Sequence, residues 1–323
     1  MRRGSGQLRS SGWTGRLVVR AGVTSTYAGW VLPFDRVVLI FNPNSSGQAR
    51  ERAEELRRDL GQRVPTLTVD LVPTEHAGHA TELARTAAGA GSPLVVSVSG
   101  DGGYNEVVNG VMQAANDRAA SAVLAAGNAN DHRRTTKERP IAAAIAQGAV
   151  SRLDLLRLTA GGAAGDVVRY AHSYIGLGLT PVVAVDLEKG DKGSLREMVT
   201  VVRSFARFRP FEIELEDGSH ERFDSLVFAN IAQMAKVATL AEEGRPDDGM
   251  FEVITLRHTA KWRILATAVK ASITGLGKQP SVRSYGFTTL TPLPLQIDGE
   301  VMDLPAGATV RVEIASQALR TVL

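Results

Sequence analysis

The chain has 323 residues, no cysteine, 44% hydrophobic and 22% charged residues, and a formal net charge of +3. That composition excludes a disulfide scaffold and a thiolate metal site, and it suits a globular protein with more than one core. The charge is uneven: residues 1–36 hold six Arg against one Asp, while the remainder carries 31 basic against 33 acidic side chains.

Residues 1–35 read as a basic leader. It has no apolar core of signal-peptide length, so no secretion signal is expected. Two readings stand for it: a loosely attached arm, or an electrostatic tether to anionic lipid, where each basic residue near the surface is worth about 1 kcal/mol. No apolar run reaches the roughly 18 residues of a membrane-spanning helix. The body lacks a basic stripe with interleaved aromatics, so no nucleic-acid partner is expected. The six histidines include no HExxH-type pair, so no zinc site is expected either.

From residue 36 the pattern is regular. RVVLIFNP (36–43) is a continuous apolar run stopped by Asn-Pro, as in a buried parallel strand. The Ala53, Leu56, Leu60 spacing in SSGQARERAEELRRDLGQR predicts a helix. TLTVDLVP (66–73) predicts a strand and EHAGHATELARTAAGAG a helix ended by glycine. PLVVSVSG (93–100), YNEVVNGVMQAA and SAVLAAG (121–127) then predict strand, helix and strand. This βαβαβαβ series implies an α/β domain with a parallel sheet, whose ligands bind at the carboxyl ends of the strands. Beyond about residue 150 the chain changes to short or alternating runs with turn residues between them, which predicts an antiparallel β domain. Two helical segments, 193–208 and 259–276, interrupt it. Each is amphipathic, and reads either as a helix packed on the sheet or as an interfacial helix at a membrane.

Three unusual turns fall at the strand ends. FNPNSSG offers backbone N–H groups and two hydroxyls where a helix begins, a position that favours anions. SGDGGYNE lets the backbone approach a phosphate closely because glycine lacks a Cβ. Asp101 cannot itself bind phosphate, so an aspartate there implies a bridging Mg2+. AAGNANDH adds a third glycine turn with amide side chains. One such turn is weak evidence, but three on one sheet edge point to a nucleotide. The Walker pattern fails at SITGLGKQ (272–279), no dinucleotide fingerprint follows the first strand, and no G-x-S-x-G elbow occurs.

The ordered set NPNSSG, SGDGGYNEVVNG, AAGNAND, RPDDGMFEV and IDGE resembles the diacylglycerol kinase catalytic family, which includes bacterial lipid kinases and sphingosine kinases. The likeness runs from about residue 36 to 323. It implies an α/β nucleotide-binding domain at 36–148 and a C-terminal antiparallel β-sandwich lipid-substrate domain at 149–306. Residues from about 307 to 323 are candidates to return to the first domain. It also implies transfer of the γ-phosphoryl group of ATP to a lipid hydroxyl, the reaction of a phosphotransferase with an alcohol acceptor. The lipid would be met at a membrane surface by a cytoplasmic, peripherally associated protein, with a homodimer left open.

Position by position, the resemblance puts ATP contacts on Asn42, Pro43, Asn44, Ser45, Ser46 and Gly47, on Thr74, and on Ser99, Gly100, Asp101, Gly102, Gly103, Tyr104 and Asn105. A further set falls on Gly127, Asn128 and Asn130. Asp248 would bind Mg2+ with the backbone carbonyls of Arg245 and Met250. Glu300 would be the general base, acting with Asp101, since a lipid alcohol is a poor nucleophile until a carboxylate takes its proton. By itself, IDGE reads equally as a polar hairpin turn and RPDDG as a surface turn. The chain departs from the family pattern in having Ser99 and Gly103 where glycine and threonine are common, Asn128 where threonine is common, and Gln48 where a basic residue often stands. An NAD-kinase-like enzyme and a non-catalytic lipid- or nucleotide-binding relative remain as alternatives.

Overall fold

A computed structural model describes residues 26–27, 30–45, 48–126, 140–162, 165–178, 210–231, 233–234, 238–239, 245–258 and 278–323. Most of the basic leader, Ser46, Gly47, Gly127, Asn128, Asn130 and the two helical segments expected at 193–208 and 259–276 lie outside the described residues.

The first half alternates strand and helix: β1 (Arg36–Phe41), α1 (Ala49–Arg63), β2 (Thr68–Pro73), α2 (His79–Ala88), β3 (Pro93–Ser99), α3 (Asp101–Gln113) and β4 (Ala120–Ala125). A short helix, α4 (Ile141–Gln147), not foreseen from the sequence, follows. The strands pair in parallel in the order β2-β1-β3-β4. β1 is buried along almost its whole length because both faces are covered. Leu56 and Leu60 of α1 and Ile145 of α4 pack on one face. Ala84 of α2 and Val107 of α3 pack on the other.

The second half is antiparallel: β5 (Val150–Gly161), β6 (Val167–Ala171), β7 (Tyr174–Gly178), β8 (Phe211–Leu215), β9 (His220–Ala229), β10 (Phe251–Arg257), β11 (Ser281–Val282), β12 (Ser284–Thr289), β13 (Leu293–Ile297), β14 (Glu300–Leu304) and β15 (Thr309–Val322). Leu156, Ile175, Phe228, Phe251, Leu295 and Val310, from six of these strands, share one core, as in a sandwich. The run VRYAHSYIGLG is broken at His172 and Ser173, which separate β6 from β7.

One strand joins the halves. β15 runs antiparallel to β12 at its start and to β5 along most of its length, and its end pairs in parallel with β4 at Thr321 and Ser121. The β5–β15 register shifts between Ala315 and Leu319, and Gln317 there has φ 51. Tyr104, Val108, Val123, Leu155 and Leu319 form a small core at this seam.

Candidate active site

A cavity of about 550 Å3 opens at the carboxyl ends of the parallel strands. That size suits a small ligand or cofactor. It is lined by Asn42, Asn44, Ser45, Thr74, Ser99, Gly100 and Gly103, and also by Glu300 from the second half. Four parts of the chain separated widely in sequence therefore meet in one space.

Each wall has a local cause. After β1, the Asn42 side chain accepts the Asn44 N–H at 2.9 Å and the Asn42 carbonyl accepts the Ser45 N–H at 3.2 Å, which turns the chain sharply. Pro43 sits in this turn and does not line the cavity. The Ser45 hydroxyl is buried against the cavity with no hydrogen-bond partner among the described residues. A buried hydroxyl of this kind lacks an acceptor, and a phosphate oxygen would provide one. Thr74 follows β2, its N–H held by the Phe41 carbonyl at 2.8 Å.

The glycine-rich turn is shorter than its sequence suggests. α3 begins at Asp101, three residues before the expected start, with Gly100 as the extended cap residue. Gly102 and Gly103 thus lie in the first helical turn, where unpaired N–H groups and the helix dipole face outward. A Cβ on Gly102 would stand 2.5 Å from Glu300 Oε1, so the bare α-carbon makes room for the carboxylate. A Cβ on Gly103 would stand 2.7 Å from both Cβ and Oγ of Ser99. Positions 99 and 103 share one space, and here Ser99 occupies it. The Ser99 hydroxyl lies 2.6 Å from Ser97 Oγ and 2.9 Å from the Gly100 carbonyl, which it can donate to.

Tyr104 and Asn105 do not line the cavity. Tyr104 is fully buried, its hydroxyl 3.1 Å from Ser121 Oγ. Asn105 is buried and donates to the Tyr170 carbonyl and to Asp298 Oδ2, both at 2.8 Å. Their assignment to cofactor contact is corrected accordingly: these side chains hold the α3 turn in place.

The turn IDGE is a tight hairpin between β13 and β14, with Asp298 at φ 47 and Gly299 at φ 101. Positive φ at both central residues is what the Asp-Gly pair supplies. The hairpin and site readings are therefore compatible, because the turn is what carries Glu300 to the cavity. Asp298 is fully buried and accepts the N–H groups of His172 at 2.7 Å, Ser173 at 3.0 Å and Tyr174 at 2.8 Å, besides the Asn105 amide. The sequence offered no sign of His172 or of this buried carboxylate's partners.

Residues 36–158 match the model of the diacylglycerol kinase catalytic domain. A curated relative, "Probable lipid kinase YegS-like" from Chromohalobacter salexigens, is 26% identical over 243 residues, covering 70% of this chain and 76% of the relative. The crystal structure of a diacylglycerol kinase from Bacillus anthracis str. Sterne superposes with a TM-score of 0.63 at 17% identity, covering 90% of this chain and 97% of that one. Another chain from the same organism gives 0.67 at 18% with the same coverage. At those identities the structural likeness establishes the fold, an α/β half with parallel strands and an antiparallel half. No described helix is long and apolar enough to cross a membrane.

The DDG turn lies elsewhere. Asp247, Asp248 and Gly249 line a second cavity of about 670 Å3 with Arg157, Arg283 and Glu313. Among the described residues the two cavities share no lining residue. Asp248 Oδ1 accepts the Met250 N–H at 2.9 Å, and Arg245 pairs with Asp247 at 3.1 Å. Buried Asp154 fastens the turn: its carboxylate accepts Gly249 N–H at 2.7 Å and Gln317 N–H at 2.6 Å, using the shifted register of β15. Asp154 was read from the sequence only as a strand residue. Burial, followed by the nearby Asp248 charge, pushes the Glu252 carboxyl above its ordinary range.

One further cluster sits at the first cavity's rim. Donor atoms of His76, His79 and Glu82 lie within 4.8 Å of one another. The two imidazoles stack with ring centroids 4.6 Å apart and planes 11° from parallel, and His79 Nδ1 accepts the Glu75 N–H at 3.1 Å. Stacked parallel rings aim their lone pairs side by side, not at a common point.

Proposed function

We propose that the protein is a lipid kinase that transfers the γ-phosphoryl group of ATP to a lipid hydroxyl with Mg2+ as the divalent ion. The supporting observation is the meeting of Glu300 with the glycine-rich start of α3 in one cavity, beside the unpartnered Ser45 hydroxyl. ATP, when bound, supplies the phosphoryl group. In this reading Ser45, Ser99 and the N–H groups at the start of α3 hold phosphate oxygens, with Asn42, Asn44, Thr74 and the backbone of Gly100 to Gly103 completing the nucleotide contacts. Glu300 would take the proton of the lipid hydroxyl as the new O–P bond forms and the bond between the γ-phosphorus and the bridging oxygen breaks, with ADP as the leaving group. Phosphoryl transfer needs charge neutralisation and in-line placement more than covalent help; the backbone donors would supply part of that neutralisation and a divalent cation held by Asp101 the rest.

The residues are also compatible with a hard divalent cation. Asp101 stands in the first turn of α3. Asp248, with the carbonyls of Arg245 and Met250, is an all-oxygen donor set of the kind Mg2+ prefers. Because Asp248 lines a different cavity from Glu300, a cation there would steady the DDG turn and not touch the transferred group. The acceptor belongs to the class of diacylglycerol or sphingoid-type lipids met at a membrane surface by peripheral contact.

The deciding experiment supplies labelled ATP, Mg2+ and mixed micelles of diacylglycerol, sphingoid base or phosphatidylglycerol, with Glu300→Ala and Asp101→Ala in parallel. Labelled lipid from the native protein, and at least a ~100-fold loss in Glu300→Ala, is expected for a general base. Turnover surviving in Glu300→Ala would sink the base assignment. Phosphorylation of NAD and not lipid would select the small-molecule reading, and nucleotide binding with no turnover the non-catalytic one.

A further inference from the structure

The break between β6 and β7 places a fully buried imidazole directly beneath the proposed active site. His172 Nε2 lies 3.3 Å from the Asp101 carbonyl oxygen and 3.4 Å from Asp298 Oδ2. Both are acceptors, so Nε2 carries the ring proton. Nδ1 then accepts from Ser173 Oγ, 2.7 Å away. This tautomer gives both ring nitrogens a partner of the right kind. Tyr104 packs against it with ring centroids 4.8 Å apart, and the His172 backbone N–H donates to the same Asp298 oxygen at 2.7 Å.

The two acceptors belong to the two turns that build the site. Asp101 opens α3, and Asp298 opens the hairpin that delivers Glu300. His172 joins them: its Nε2–H donates to the Asp101 carbonyl, and its backbone N–H donates to Asp298 Oδ2. Their separation matters because Glu300 Oε1 occupies the space a Cβ on Gly102 would fill. Gly299, in turn, faces Gly102, its own missing Cβ 3.6 Å from the Gly102 nitrogen.

We infer that His172 is a positioning residue for the proposed phosphoryl transfer: its Nε2–H holds the start of α3 through the Asp101 carbonyl while its backbone N–H holds Asp298, which keeps the 298–300 hairpin in register so that Glu300 meets the glycine-rich turn. The inference rests on the kinase reading for its catalytic consequence, but its geometric half stands apart from any turnover.

The test compares His172→Gln with His172→Asn. The Gln amide nitrogen reaches the place of Nε2 and can donate to the same acceptors, whereas the Asn amide ends near the place of Nδ1 and cannot. His172→Leu removes both interactions and reports on bulk packing. Hydrogen exchange is followed in peptides covering 100–105 and 297–302, together with kcat and KM for ATP on the accepted lipid. In His172→Asn both peptides are expected to exchange about tenfold faster together, with kcat down about tenfold and KM within about twofold, the effect of losing one buried hydrogen bond. His172→Gln restores both readouts towards the native values. Gln and Asn behaving alike, or the two peptides responding separately, would overturn the inference. If the native protein phosphorylates no acceptor, the kinase reading fails while the exchange comparison still decides the role of His172.

Discussion

The Asn105 amide donates to Asp298 Oδ2 at 2.8 Å, although the two residues are 193 positions apart. One belongs to SGDGGYNE and the other to IDGE. The bond ties the glycine-rich turn to the Glu300 hairpin through buried side chains, behind the cavity that both turns line. With the three backbone N–H groups of residues 172–174, it gives a buried carboxylate four donors. Asp298→Asn turns an N–H group towards donors that need an acceptor. The expected loss of stability is about 3 kcal/mol, as for breaking other buried charged networks. Urea unfolding measures it, and Asn105→Ala should cost less, about 1 kcal/mol, because it removes one donor of four.

Gly102→Ala separates stability from activity. The new methyl group would meet the end of the flexible Glu300 side chain, which can swing aside. Alanine also suits a helix better than glycine, by up to about 1 kcal/mol. The melting temperature is therefore expected to hold or rise, while phosphoryl transfer falls about tenfold or more as the carboxylate leaves its place. A variant that melts early would mean that Glu300 is fixed and the helix yields.

Gly103 and Ser99 should behave as a pair. Gly103→Thr alone would force its Cβ against that of Ser99, and a loss of about 1–3 kcal/mol is expected from the overpacking. Ser99→Gly together with Gly103→Thr removes the clash and returns a hydroxyl to the same space. Melting curves and calorimetric binding of a non-hydrolysable ATP analogue on all four forms complete the cycle. Additive effects would show that the two positions are independent.

Glu252 makes stability depend on pH in metal-free protein. Its folded-state pKa is raised, first by burial and then by Asp248, so the fold prefers the protonated form. Its destabilising charge is absent below the unfolded value, near 4.3, and develops as pH rises through the raised folded value. With chelator present, Glu252→Gln should match the native melting temperature in acid and exceed it near neutrality. Asp248→Asn, which removes one cause of the raised pKa, should shrink that difference near neutrality. An equal gap at every pH would assign the effect to packing.

Much of the nucleotide-side architecture was legible in the sequence. RVVLIF is apolar throughout because a parallel strand is covered on both faces, and β1 is buried accordingly. Glycine turns after such strands end at the sheet edge, so the grouping of the turns after Phe41 and Val98 around one cavity follows from periodicity, while Thr74 came from the family resemblance. The start of α3 was less legible, because two glycines and an aspartate read as loop when seen singly. Asp101 nonetheless favours the positive end of a helix, and the first helical turn tolerates residues that its interior does not.

The motifs SGDGGYNE and IDGE, the absence of cysteine and the switch from helical to alternating patterns are local properties, and the sequence by itself determined them. That Glu300 stands against Gly102, that Asp154 fastens the DDG turn, and that His172 lies between Asp101 and Asp298 were decided only by the tertiary structure. Each depends on buried hydrogen bonds between residues far apart in the chain. Those bonds leave no periodic trace, because a buried polar group is specified by the partner that satisfies it and not by its neighbours in sequence.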